Sequence, residues 1–76
     1  MATLRQNFGR RLREIRAQRR MTQESFAEKL GISVDFLSLI ERGISAPSFN
    51  TLENMSKQLR LPVADLFVFN TKQPVK

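Results

Sequence analysis

The sequence predicts an all-α fold, and three observations carry that prediction. Apolar residues recur at spacings of three and four in segment after segment, the period of an amphipathic helix. No stretch of useful length alternates apolar and polar residues as a half-buried strand would. Threonine or serine stands just before three of the segments and glycine just after two. Those residue types cap helix starts and close helix ends. In 76 residues they mark out five helices within one domain, residues 1–69, followed by a frayed tail, 70–76.

The first helix is expected from about Thr3 to Arg19. Leu4, Phe8, Leu12 and Ile15 form its apolar stripe, with Arg10, Arg13, Glu14 and Ala17 on the opposite side. Thr22 caps a second helix, Gln23 to Leu30, whose inward residues are Phe26, Ala27 and Leu30. Gly31 ends it, because glycine alone takes positive φ at no steric cost. Ser33 caps a third helix, Val34 to about Arg42. Leu37 and Ile40 share one face with Glu41 beside them, and at 100° per residue Asp35, Ser38, Leu39 and Arg42 project the other way. Gly43 stops it, and residues 44–48 form a loop. Ser48 caps a fourth helix with Phe49, Leu52, Met55 and Leu59 as its buried stripe. Pro62 suits the first turn of a short fifth helix, Val63 to about Phe67.

Composition narrows the function. The chain has no cysteine and no histidine. Disulfides, thiolate nucleophiles and the commonest general-base and zinc ligands are therefore missing together. Neither an enzyme, nor a metal site, nor a cofactor is expected. No apolar run reaches the roughly 18 residues of a membrane span. The N-terminus lacks the apolar core of a signal peptide, so a soluble cytoplasmic protein is expected. The net charge of +6 is one-sided: residues 1–20 hold seven arginines against Glu14, and the remainder is neutral. An arginine-rich segment of this kind implies a polyanionic partner, either nucleic acid or an anionic surface.

Two short helices joined at Gly31 form the corner that presents one helix to the DNA major groove, which admits a single α-helix. Ala27 lets the two helices approach, Ile32 fills the angle between them, and Leu37 and Ile40 tie the presented helix to the core. The stretch TQESFAEKLGISVDFLSLIERG, residues 22–43, resembles the helix-turn-helix of the lambda-repressor-like (XRE) regulators. The likeness extends to FGRRLREIR before it and to PSFNTLENMSKQL and ADLF after it. It implies a five-helix fold and a homodimer on a double-stranded DNA operator. It further implies that Val34, Asp35, Ser38 and Leu39 face base edges, that Gln23, Arg42 and the Asn50–Thr51 region meet phosphate, and that Arg16 pairs with Glu41. Position 20 is often glycine in the family; Arg20 must close the first helix with a side chain attached. The family's often basic loop after Gly43 is neutral here, and Pro62 replaces a serine.

Several of these residues also point the same way on chemical grounds. A carboxylate facing DNA needs a donor such as cytosine N4, and otherwise Asp35 serves only the helix dipole. Val34 and Leu39 suit thymine methyls. Ser38 can bond either base or phosphate. Thr22 and Gln23, with the free N–H groups at the start of the second helix, make a phosphate seat. Arg42 is the presented helix's only cation. Leu61, Val63, Phe67 and Phe69 exceed what a short last helix hides, and a two-fold interface is their natural cover, whereas Leu66 reads as core. The expected function is a DNA-binding regulator, of the restriction–modification controller or phage type, acting on its own operon without a small-molecule ligand. The rivals are an antitoxin or protein-interaction module that also binds DNA, and a membrane-surface peptide built on the first helix.

Overall fold

In the computed structural model, which describes residues 2–69, four α-helices and one 3-10 segment follow in order. They are α1 (Leu4–Gln18), α2 (Gln23–Leu30), α3 (Val34–Glu41), α4 (Phe49–Leu59) and the 3-10 segment Val63–Phe67. No strand occurs among the described residues. The tail at 70–76 lies outside them. The expected fifth α-helix is the 3-10 segment instead. Its closures run three residues back, Asp65 N–H to the Pro62 carbonyl at 2.9 Å and Val68 N–H to the Asp65 carbonyl. Five residues after a proline are too few to build an α-helical ladder, and 3-10 geometry suits such short pieces.

Every α-helix opens on a hydroxyl cap. Thr3, Thr22, Ser33 and Ser48 each accept the backbone N–H three residues on. At Thr3 the Gln6 side chain reciprocates, completing a capping box. Every helix also closes in one way. A residue in the left-handed conformation returns its N–H to the carbonyl three back, and the next N–H reaches five back. Arg20, Gly31, Gly43 and Arg60 are those four residues. The pairs of bonds run Arg20 to Ala17 with Met21 to Arg16, Gly31 to Glu28 with Ile32 to Ala27, Gly43 to Ile40 with Ile44 to Leu39, and Arg60 to Lys57 with Leu61 to Ser56. Arg20 and Arg60 thus adopt φ of 56° and 57°, where a Cβ is unfavourable. Arg20 closes the first helix in the left-handed conformation with its side chain attached, and Arg60 is a second instance.

The core is Phe8, Leu12 and Ile15 of α1, Phe26, Ala27 and Leu30 of α2, Leu37 and Ile40 of α3, Leu52, Met55 and Leu59 of α4, and Leu66. α3 packs between α1 and α2, and the 3-10 segment closes the body against α1 and α4. Ile32 and Phe36 pack at its edge. Two residues expected in the buried stripes lie outside. Leu4 is 63% exposed and Phe49 85% exposed. Both occupy the first position of their helix, one turn beyond the body that covers the rest of the stripe. With Phe8, Leu12 and Ile15 buried, the first helix has no apolar face free to enter a membrane.

Gly9 lies in the α1–α3 crossing. A Cβ there would stand 2.2 Å from the Ile40 carbonyl oxygen and 3.0 Å from that of Glu41. The two backbones touch at this point because no side chain intervenes. Asn54 of α4 donates its side-chain amide to the Leu30 carbonyl at 2.8 Å, holding the turn between α2 and α3 from behind.

Candidate nucleic-acid interface

A helix held proud of a small body presents few side chains, so those that make no contact with the body are informative. α3 buries Leu37, Ile40 and Glu41, packs Phe36 against the core edge and turns the others outward. Val34 is 37% exposed, Asp35 and Arg42 are exposed, and Ser38 and Leu39 are half-buried. No side-chain hydrogen bond or ion pair among the described residues engages Asp35, Ser38 or Arg42. Along one face the chain therefore displays a carboxylate, a hydroxyl, two aliphatic groups and a guanidinium, the three polar groups without a side-chain hydrogen bond or ion pair among the described residues.

Glu41, on the inner face, is the pin of the assembly. It is only 4% exposed. Arg16 of α1 grips it with two parallel bonds, Nε to Oε2 at 2.7 Å and Nη2 to Oε1 at 3.0 Å. The third arm of the guanidinium, Nη1, donates to the Met21 carbonyl at 3.1 Å. Gln23, the first residue of α2, donates its amide to Glu41 Oε1 at 3.0 Å. The hydrogen bond from Arg16 to Glu41 raises the Arg16 pKa above the ordinary arginine range, against the opposing effect of burial. Three helices meet on one carboxylate. The family likeness implied the Arg16–Glu41 pair, but not Gln23's part in it. Because Gln23 is half-buried and engaged, its amide is oriented, with its second N–H uncommitted.

The other expected phosphate contacts lie at helix starts. The Thr22 cap takes the Ser25 N–H, leaving those of Gln23 and Glu24 pointing out of the end of α2. At α4 the Ser48 hydroxyl accepts from the Thr51 N–H at 3.2 Å and donates to Thr51 Oγ1 at 3.1 Å. Thr51 is half-buried and engaged with its own cap, while Asn50 is exposed. Near the chain's end, Leu61 and Phe67 are half-buried against the core, and Phe67 stacks at a tilt on Phe8 with ring centres 5.1 Å apart. Phe69 follows at 6.2 Å, and Val63 is exposed. Three of these four apolar residues are thus partly satisfied within their own chain.

The family pattern described as helix-turn-helix matches residues 12–66, the span from mid-α1 to the 3-10 segment. The chain belongs to the helix-turn-helix family of transcription regulators. This regulator is 41% identical over 59 residues to the HTH-type transcriptional regulator YazB of Bacillus subtilis, a match covering 78% of this chain and 86% of that one. It is 35% identical over 65 residues to the control protein C.BamHI of Bacillus amyloliquefaciens, covering 84% and 80%. Among solved structures it resembles the restriction-modification controller protein C.AhdI of Aeromonas hydrophila, with a TM-score of 0.77, 28% identity and coverage of 83% and 96%. The helix-turn-helix regulators are DNA-binding proteins rather than an enzyme class, and no helix among the described residues is long and apolar enough to cross a membrane.

Proposed function

We propose that this regulator binds a near-palindromic operator as a homodimer, with one α3 in each of two major grooves a helical turn apart, ~34 Å. Val34, Asp35, Ser38 and Leu39 read base edges. Thr22, Gln23, Arg42, Asn50 and Thr51 set the register on phosphate, through the N–H groups at the starts of α2 and α4 and the cation at the end of α3. The observation that carries this reading is the unpartnered row on α3. A carboxylate and two aliphatic groups make a poor solvated face but match the donors and methyls of the groove floor. Control of its own operon, of the restriction–modification or phage type, is supported by the likeness to two controller proteins of similar length.

The test separates reading from clamping. Asp35→Ala should lose roughly 1 to 3 kcal/mol of preference at one base pair and leave the salt dependence unchanged. Arg42→Ala should weaken every duplex alike and flatten the log–log salt slope by about 0.9. Binding measured across operator variants and salt concentrations reads both. If neither substitution alters binding, α3 is not the reading element.

For the dimer, the uncovered apolar surface differs from the four residues expected from sequence, of which Val63 alone is exposed. Leu4, Phe49, Val63 and Val68 are all exposed, and Leu4, Ala46, Pro47, Phe49 and Phe67 line an apolar groove of about 220 Å³. An exposed aromatic beside an apolar groove is self-complementary across a two-fold axis. Phe49→Ser should raise the dimer dissociation constant at least tenfold by sedimentation without changing the helical content. An unchanged dimer would place the seam elsewhere.

A further inference from the structure

Six of the seven arginines in the first segment divide into two groups; the seventh, Arg20, is exposed, closes α1 through its backbone and does not line the cleft at the end of α3. Arg16 is bound to Glu41 and Met21. Arg11 donates to the Asp65 carbonyl at 2.8 Å and lies near Glu14. Arg19 donates to the Leu59 carbonyl at 2.7 Å, and Arg5 reaches the Ile44 carbonyl. These four stitch α1 to the rest of the body. Arg10 has no hydrogen bond or ion pair among the described residues, and Arg13 has only one marginal contact, 3.5 Å to the Glu41 carbonyl. Both are exposed and lie three residues apart on one face of α1.

Arg10 and Arg13 share an open cleft of about 560 Å³ with Arg42, across the gap at the end of α3, and with Gln6. Among the described residues one carboxylate lines the cleft, Glu41, which is turned inward and held by Arg16 and Gln23. Glu14, on the same side of α1 as Arg10 and Arg13, lies outside it, 3.9 Å from Arg11. Three guanidiniums therefore line one cleft with no uncommitted carboxylate in its wall. The carbonyl end of α3 adds a partial negative charge. Folding gains nothing from such a cluster of like charges; an anion in the cleft would turn the repulsion into attraction.

We infer that this cleft is a binding site for phosphodiester anions, and that its occupant is the DNA backbone just beyond the stretch read by α3. This inference rests on the reading of α3 as the recognition helix. Arg42 belongs both to the reading face and to the cleft, so backbone leaving the end of α3 passes directly over Arg13 and Arg10. The planar guanidinium fork suits phosphate oxygens. The one-sided charge thus has a specific task besides general steering: it extends the contact past the bases onto flanking backbone.

The test uses the double variant Arg10→Gln, Arg13→Gln, with Lys29→Gln, Lys57→Gln as a control of equal charge change outside the cleft. The cleft variant should flatten the log–log salt slope of duplex binding by about 0.9 for each phosphate released, close to two in all. The control should flatten it by less than half as much. Phosphate ethylation interference should lose its signal at flanking positions while base preference is kept. Equal effects from the two double variants, or an unchanged slope with operator preference intact, would overturn the cleft while leaving α3's role standing. Absence of any sequence preference in the parent protein would instead overturn the recognition helix, and the cleft assignment with it. Inorganic phosphate added to the free protein distinguishes a small-anion site: saturable shifts of the Arg10 and Arg13 side chains, with duplex binding indifferent to the substitutions, would remove DNA as the occupant.

Discussion

Arg16→Ala is expected to destabilise the fold by about 3 kcal/mol and lower the melting temperature by roughly 12 to 24 °C. The cost arises chiefly from what is left behind. Glu41 is buried, and without the guanidinium its charge would retain only the Gln23 amide as a side-chain donor. The side chain of Arg16 itself remains one-fifth exposed, which places the expected loss at the lower end for a broken buried pair. Arg16→Lys should fall between parent and alanine, since an ammonium cannot reproduce the two parallel bonds and the third bond to Met21. The pH dependence follows from the raised pKa of Arg16. A cation with a raised folded-state pKa contributes fully below its ordinary range and loses that contribution only as pH rises through the folded value. The stability gap between parent and alanine variant should therefore persist through mildly alkaline solution. Thermal melts with and without the substitution decide the matter, and a fall of less than 3 °C would mean that the pair contributes little.

Gly9→Ala should destabilise by about 2 kcal/mol, although alanine is ordinarily the better helix residue. Two effects oppose each other. Inside α1 the exchange favours the helix by about 1 kcal/mol. Against this, the new methyl would sit 2.2 Å from the Ile40 carbonyl oxygen, an atom that cannot swing aside because it belongs to the α3 backbone and accepts the Gly43 N–H at 2.9 Å. Overpacking against rigid neighbours costs roughly 1 to 3 kcal/mol, occasionally more, and here the upper part of that range applies. The helices must separate, so operator affinity should fall together with stability. Urea titration gives the sign. A variant more stable than its parent would mean that the crossing has slack.

Much of the architecture is readable from single residues because it is written locally. Thr22, Ser33 and Ser48 announce the helix starts, and Gly31 and Gly43 announce two of the ends. Those signals concern a few consecutive residues, which a sequence displays side by side. Helical periodicity identified most of the core but overshot at Leu4 and Phe49, because a stripe continues along a helix whether or not anything remains to cover it. Arg60 carries no turn signal and closes α4 all the same, since tertiary contacts override residue preference. Gly9, the one glycine within a helical pattern, could have drawn attention as a place of close approach. Its reason lies 31 residues away in α3, however, and periodicity does not reach that far. Within the candidate site, the row Asp35, Ser38, Leu39 and Arg42 follows from angular arithmetic alone. The cleft at Arg10 and Arg13 does not, because seven arginines look alike until the body shows which of them it has already used.

The junction at Glu41 bears on how this protein meets its target. One carboxylate joins the start of α2, the end of α3 and the middle of α1, so the surfaces that would touch nucleic acid are locked together beforehand. Little chain disorder has to be removed on encounter, which favours quick capture and a small entropic penalty. Adjustment then falls mainly to the other molecule. Sequences whose double helix bends or twists easily toward this rigid template would be preferred, even at base pairs that no side chain reaches.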